Sequence, residues 1–210
     1  MSNIAEAIKL RKLGIEGDIL ILGYTPIENI SQLLDFDITQ AIISEQYFDL
    51  IMNLNLPIKC CLAIDTGMNR IGLNVNNVSR IKELVKKSKS ILNIIGCFTH
   101  LCVADSDSEE SILFTNKQIE LFESLLKDLA QFKFEKNHCL NSADGLVYES
   151  KFTNFVRLGI VLYGLKPDYR KSLPEEIKPI LSWKSVVSMV KTVEKDETIG
   201  YGRTFRVEKK

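Results

Sequence analysis

The chain has 210 residues, enough for one large domain or two small ones. Its 45% hydrophobic and 26% charged residues suit a globular protein with a substantial core, and Lys+Arg balance Asp+Glu at 27 each, so charge implies no general attraction to nucleic acid or membrane. No apolar run approaches the roughly 20 residues a spanning helix needs, and Met1-Ser2-Asn3-Ile4 does not begin a signal peptide, so a cytoplasmic protein is expected.

The first expected element is a helix capped by Asn3, with Ile4, Ala7, Ile8 and Leu13 at helical spacing before Gly14. Asp18 to Gly23 reads as a buried strand, followed by a Tyr24-Thr25-Pro26 turn and a short helix holding Ile30, Leu33 and Leu34. A strand at Thr39 to Ser44, a helix at Glu45 to Asn53 and a strand at Ile58 to Ile64 come next. Asn77 starts a helix through Val78, Ile81, Leu84 and Val85 that ends in the basic stretch Lys86-Lys87-Ser88-Lys89, a solvated C-terminus by its charge. Ile91 to Thr99 is a strand, Leu101 to Ser108 a loop, and Glu109 to Phe132 a long amphipathic helix. His138 to Asn141 is a short strand, Ala143 to Tyr148 a helical turn, and Phe155 to Ile160 another strand.

Strands alternating with helices at this spacing imply a parallel α/β architecture. Short, fully apolar strands fit a barrel covered on both faces, but only six are counted, whereas a closed (β/α) barrel has about eight. The expected fold over residues 1–168 is therefore either an open sheet or an incomplete TIM-type (β/α) barrel. After Leu165 the composition changes. Lys166-Pro167-Asp168 and Leu173-Pro174-Glu175-Glu176 read as a linker, and Ile180 to Val193 with Thr198 to Val207 as a hairpin opening a separate β domain over 169–210.

The five cysteines are Cys60, Cys61, Cys97, Cys102 and Cys139; no pair has metal-ligand spacing, so reduced core thiols and no metal site are expected. The most suggestive stretch runs from Leu62 to Leu73. There a buried strand stops at Asp65, turns through Thr66-Gly67, and presents Arg70 between Gly67 and Gly72. A permanently charged donor fork at a strand end is either a ready anion contact or a surface arginine.

Four blocks together resemble one family. Ile64 to Gly72 (IDTGMNRIG) resembles the "DTGMGRxG" segment of alanine racemases, and Gly96 to Leu101 with Ala104-Asp105 resembles their "THFAxAD" segment. His138 to Ala143 followed by Val156 to Gly164 is similar to their "HxxNSA … RxGxxxYG" pair, and Thr198 to Thr204 to the "VSYGxT" segment that opens their β domain. The order and approximate spacing agree along nearly the whole chain.

The resemblance implies a pyridoxal 5'-phosphate (PLP) enzyme interconverting L- and D-alanine, or serine, for peptidoglycan precursors, working as a homodimer on a small amino-acid substrate. Arg157 would face the cofactor's pyridine nitrogen. Because a guanidinium can only donate, that nitrogen stays unprotonated and the cofactor is a weaker electron sink. His138 would orient Arg157, and His100 would link it to the catalytic Tyr201, which would take the α-proton of the L-enantiomer across the subunit interface. A tyrosine titrating near 10 needs positive charge or histidine nearby to do so. Asn141 and Ser142, with the amides of Gly159 and Ile160, would hold the cofactor, the hydroxyl and amides cradling its phosphate. Arg70 would bond the phenolic oxygen and help place the substrate carboxylate. Without the family, Asn141-Ser142 reads as a helix cap, Tyr201 as the aromatic of a Gly-Tyr-Gly turn, and the two histidines as structural residues.

Departures from the pattern are also visible. The "AVVKANAYGHG"-like segment with the cofactor lysine has no match in these 210 residues. The chain is therefore expected to be a fragment truncated at both ends, inactive alone, and partnered by a second copy or a complementing racemase fragment. Ala63 stands where many alanine racemases have a carbamylated lysine supporting the arginine that corresponds to Arg70. The alternative expectation is a non-catalytic PLP-binding or dimerisation module built on the same barrel.

Overall fold

In a computed structural model, residues 1–146, 148, 150–167, 173–174 and 176–209 are described. They form two compact units, Met1–Lys178 and Pro179–Lys210. The boundary expected at 168/169 lies outside the described residues.

The first unit is an alternation of α1 (Ile4–Lys12), β1 (Leu20–Ile21), α2 (Gln32–Asp35), β2 (Thr39–Ile42), α3 (Glu45–Asn53), β3 (Lys59–Asp65), β4 (Leu73–Asn74), α4 (Val78–Ser88), β5 (Asn93–Phe98), α5 (Glu109–Asp128) and β6 (Lys136–His138). Side-chain caps start the principal helices: Asn3 accepts from Glu6 N, Ser44 from Tyr47 N, Asn77 from Arg80 N and Ser108 from Ser111 N. All strand pairs in this unit are parallel, in the order β1-β2-β3-β5-β6, with β4 paired to the end of β3.

The period of two along β3 sorts its side chains onto two faces. Cys60, Leu62 and Ile64 join the large core under the helices, with Phe48, Ile51, Ile81, Leu84 and Phe122. Cys61 and Ala63 point the other way and meet Ala41 and Phe98, with Leu20, Leu22 and Ile43 packed around them. Because the central strands β2 and β3 bury both faces, the sheet reads as the wall of a barrel. It curls as one: Lys136 at the start of β6 pairs with Asp18 just before β1, bridging the two outer strands. Parallel strands, outer helices and this curl make the unit a half-barrel of the (β/α) type.

Six strands were expected and six form, but they are not the same six. Leu73–Asn74 adds a short strand, while Phe155 to Ile160 is not one. That segment makes single bonds alongside β6, Asn154 N to Asn137 O at 3.0 Å and Arg157 N to Leu140 O at 2.9 Å, and then enters a 3₁₀ turn, Ile160–Tyr163. Two isolated bonds do not make a ladder. The helical turn expected at Ala143 to Tyr148 is a 3₁₀ turn at Asp144–Leu146, with Val147 outside the described residues.

In the second unit the expected long hairpin is also redrawn. Ile180 to Val193 forms no strand. The antiparallel pair is β7 (Thr198–Ile199) with β8 (Phe205–Arg206).

Candidate active site

The candidate site gathers at the C-terminal ends of β3, β5 and β6, the end of a parallel barrel that carries chemistry. At the end of β3, Asp65 Oδ1 accepts from Gly67 N (2.9 Å) and Asn69 N (3.0 Å), folding the loop back on itself. Gly72 N then bonds Ile43 O at 2.8 Å beyond β2. Gly72 has φ +120°, and a Cβ there would lie 2.7 Å from Asp65 N, so only glycine lets the loop pass this close. The loop leaves Arg70 exposed, with no hydrogen bond or ion pair to any described residue, over a small cavity of about 100 Å³. Ala63, Phe98, Thr99, His100 and Arg157 line the same cavity, and no lysine does among the described residues.

Arg157 is the centre of the arrangement. Its Nη1 lies 2.5 Å from His138 Nδ1 and 3.2 Å from His138 O. Its Nη2 reaches Thr99 O (2.8 Å), Cys139 O (3.1 Å) and His100 Nδ1 (3.2 Å). A guanidinium has no acceptor, so both histidines must present a bare Nδ1 and carry their proton on Nε2. Their acidities agree. Burial first and the Arg157 charge second push His138 down to about 3, and burial, Arg157 and Arg70 push His100 down to about 4. Burial lowers Arg157 itself to about 10, which leaves it charged at neutral pH. Phe98 stacks on His138 (centroids 5.2 Å apart, planes 12° apart) and lies 5.5 Å from Arg157 Cζ, closing the group from below.

The cation thus sits among neutral acceptors, with no carboxylate paired to it among the described residues, none of which takes a bond from its Nε. This is the setting for an uncharged aromatic nitrogen, and the pyridine ring of PLP fits it by donor type and charge. Beside it, Ser142 Oγ accepts from Gly159 N at 2.7 Å, while the Ile160 amide has no acceptor among the described residues. The hydroxyl proton of Ser142 and that amide are donors suited to a phosphate. Asn141 shapes the turn, its Oδ1 accepting from Ala143 N (2.8 Å) and Asp144 N (3.3 Å).

The structure therefore brings Arg70, His100, His138 and Arg157 together, with Asn141, Ser142, Gly159 and Ile160 in the adjoining turns. Tyr201 belongs to the second unit, where it is fully exposed in the turn Tyr201–Arg203 between Gly200 (φ +78°) and Gly202 (φ +72°). Four cysteines are buried and Cys102 is partly so, all free; burial raises the thiols of Cys61 to about 12 and Cys139 to about 11. Among the described residues no three His, Cys, Asp or Glu side chains gather as metal ligands, and no helix is long and apolar enough to cross a membrane.

Sequence reasoning missed three contributors. Phe98, inside a quoted motif, passed as a strand residue. Asp144 is fully buried, accepts from Asn141 N at 3.3 Å with Oδ2, leaves Oδ1 without a partner, and is raised by that burial to about 6. Gln118 on α5 is buried and bonded to two of the motif blocks. The signal for it was a polar residue on the apolar stripe of an amphipathic helix.

The family model described as "Alanine racemase, N-terminal domain" matches residues 1–167. An amino-acid racemase of Enterococcus faecalis is 38% identical over 214 residues, covering 100% of this chain and 30% of its own length. A serine/alanine racemase of Enterococcus gallinarum is 34% identical over 210 residues, covering 97% of this chain and 29% of its own length. Among solved structures, the alanine racemase of Bacillus anthracis with bound L-Ala-P superposes with a TM-score of 0.77 at 29% identity, over 99% of this chain and 55% of that one. The chain spans less than a third of these two curated relatives and about half of the solved chain. On the family match, carried by four-fifths of its residues, the chain belongs to the alanine racemase N-terminal domain family.

Proposed function

We propose that this chain forms the cofactor-facing part of a PLP-dependent racemase acting on alanine or serine. The observation that carries the reading is the Arg157 guanidinium, held by two histidine ring nitrogens and three carbonyls in the wall of the cavity, with no described residue accepting from its Nε. The relatives' names support the substrate class. PLP, when bound, supplies the electron-accepting ring that makes an amino acid's α-proton removable.

The chain's own residues have these proposed parts. Arg157 donates to the ring nitrogen and keeps it unprotonated. His138 fixes one edge of the guanidinium and His100 the other. Asn141 holds the turn in which Ser142, Gly159 and Ile160 meet the phosphate. Arg70 bonds the phenolic oxygen and the substrate carboxylate. Tyr201 moves the proton at the substrate Cα, serving the site of a second copy in a homodimer. The protein is proposed to work in the cytoplasm.

Phosphorus NMR with absorbance titration of PLP into the 210-residue chain tests this. The parent is expected to bind with its phosphate signal shifted while keeping the absorbance of the free aldehyde, and Ser142→Ala to weaken binding about tenfold, the loss of one charge-assisted hydrogen bond. No binding by the parent, or no difference between parent and Ser142→Ala, would overturn the assignment.

A further inference from the structure

Helix α5 buries Thr115, Gln118, Ile119, Phe122, Leu125 and Leu126. Gln118 is 1% exposed, at a position where the helix pattern calls for an apolar side chain. A buried primary amide is costly unless its donors and acceptor are used. Gln118 uses them all. Its Nε2 donates to Thr66 Oγ1 (3.1 Å) and His100 O (3.3 Å), and its Oε1 accepts from Cys102 N (3.2 Å), with Cys102 Sγ at 3.5 Å. Thr66 Oγ1 lies 2.8 Å from Thr99 Oγ1. With Thr66 accepting from the amide, its own proton is available to Thr99, whose carbonyl receives Arg157.

One side chain on α5 therefore ties the start of the Arg70 loop, at Thr66, to the turn that carries His100. The Thr66–Thr99 hydroxyl contact runs beside it, and Gln118 bonds Thr66, His100 O and Cys102 N at once. We propose that Gln118 is a positioning residue of the candidate site, holding His100 against Arg157 and the Arg70 loop over the shared cavity. Its functional meaning rests on the racemase reading; the positional claim does not.

The chain has two histidines, so ring nitrogen NMR reports each separately. Between about pH 7.5 and 5.5, a window around the ordinary histidine value of about 6.5, neither parent ring is expected to titrate, since the folded values are about 4 and 3. Gln118→Met keeps length and volume but removes every polar bond. In it, His100 alone is expected to titrate inside the window and to lose its single Nε2–H tautomer, while His138 stays silent. Thr66→Val is nearly isosteric, and a smaller rise of the same ring is expected there; it reads the same link if Gln118→Met does not fold.

Both histidines moving together would mean general loosening, and neither moving would mean no link; either result overturns the inference. A PLP titration of the parent separates the two claims. A selective His100 response in a chain that binds no PLP upholds the positioning role and counts against the racemase reading, whereas PLP binding without that response does the reverse.

Discussion

Arg157 and Arg70 line one cavity, and the fold treats them in opposite ways. Arg157 is enclosed: two histidines, three carbonyls and the Phe98 ring surround it, and its neighbours' protonation states follow from it. Arg70 is exposed on a loop whose shape is set by other residues, Asp65, Gly67 and Gly72, and it bonds to none of them. An enclosed guanidinium with both terminal nitrogens bonded is part of the scaffold, and its ligand is whatever its open Nε donor will take. An unpartnered arginine contributes little to the scaffold and is available for a ligand's charge. The two cations should therefore separate stability from binding.

The largest expected effect comes from Arg157→Met. It leaves His138 Nδ1, His100 Nδ1 and the carbonyls of Thr99 and Cys139 short of a donor, while His138 O keeps the Thr99 amide. An unsatisfied buried polar group costs about 1–3 kcal/mol, and a total loss of about 3 kcal/mol is expected because the exposed rim admits some water. In a chain of this size that lowers the thermal midpoint by roughly 6–12 °C. Arg157→Lys should recover only part of it, because a compact ammonium cannot reach five acceptors in a plane. A midpoint unchanged in both variants would remove the distinction between the two arginines.

A smaller effect appears in acid, on the Arg157 side alone. His138 and His100 have folded values of about 3 and 4, below the unfolded value of about 6.5, so the unfolded chain binds more protons in between. Their contribution is whole above about pH 6.5 and is lost as pH falls toward the folded values. Asp144 acts oppositely: its folded value of about 6 exceeds the unfolded value of about 3.9, so protonating it in the fold adds stability as pH falls from about 6 to 4. Two losses against one gain leave a net loss of about 2 kcal/mol between about pH 7 and 5. Asp144→Asn should raise stability at pH 7 by about 1 kcal/mol, since no charge is then buried, and steepen the acid loss to about 3 kcal/mol. Urea unfolding at a series of pH values measures both, and an Asp144→Asn curve parallel to the parent's would show that Asp144 does not titrate with the fold.

The contrast between the arginines was only half legible in the sequence. Motif order located both, and the buried run of β3 with glycines after it indicated a strand-end loop. That His138 and His100 meet Arg157 was readable only through the family resemblance, because the three are brought together by strand register and not by spacing. The same limit explains the misplaced strands. Phe155, Val156 and Leu158 look like strand residues, and Val186, Val187 and Val190 alternate well, yet β-propensity describes how side chains fit a pleated surface and does not supply the neighbour that makes a ladder. Gln118 was missed for the converse reason: its place on the apolar stripe of the helix was legible, but the partners that give a buried amide its meaning were not.

Arg70→Gln is the smallest perturbation and the sharpest for the comparison. Nothing described is bonded to Arg70, so stability should stay within about 0.5 kcal/mol of the parent, as for surface changes that touch no special feature. Its charge is nonetheless felt across the cavity, as the third cause of the low His100 value, and that value should rise slightly above about 4 while His138 stays put. If Arg70 meets the cofactor's phenolic oxygen, PLP affinity should fall about tenfold, the worth of one hydrogen bond to a charged group. Thermal unfolding beside a PLP titration reads the two quantities from one sample. A stability loss as large as that of Arg157→Met would make Arg70 a scaffold residue like its neighbour. A loss of affinity with the fold untouched is the outcome that a cation unpartnered among the described residues, at the edge of this cavity, requires.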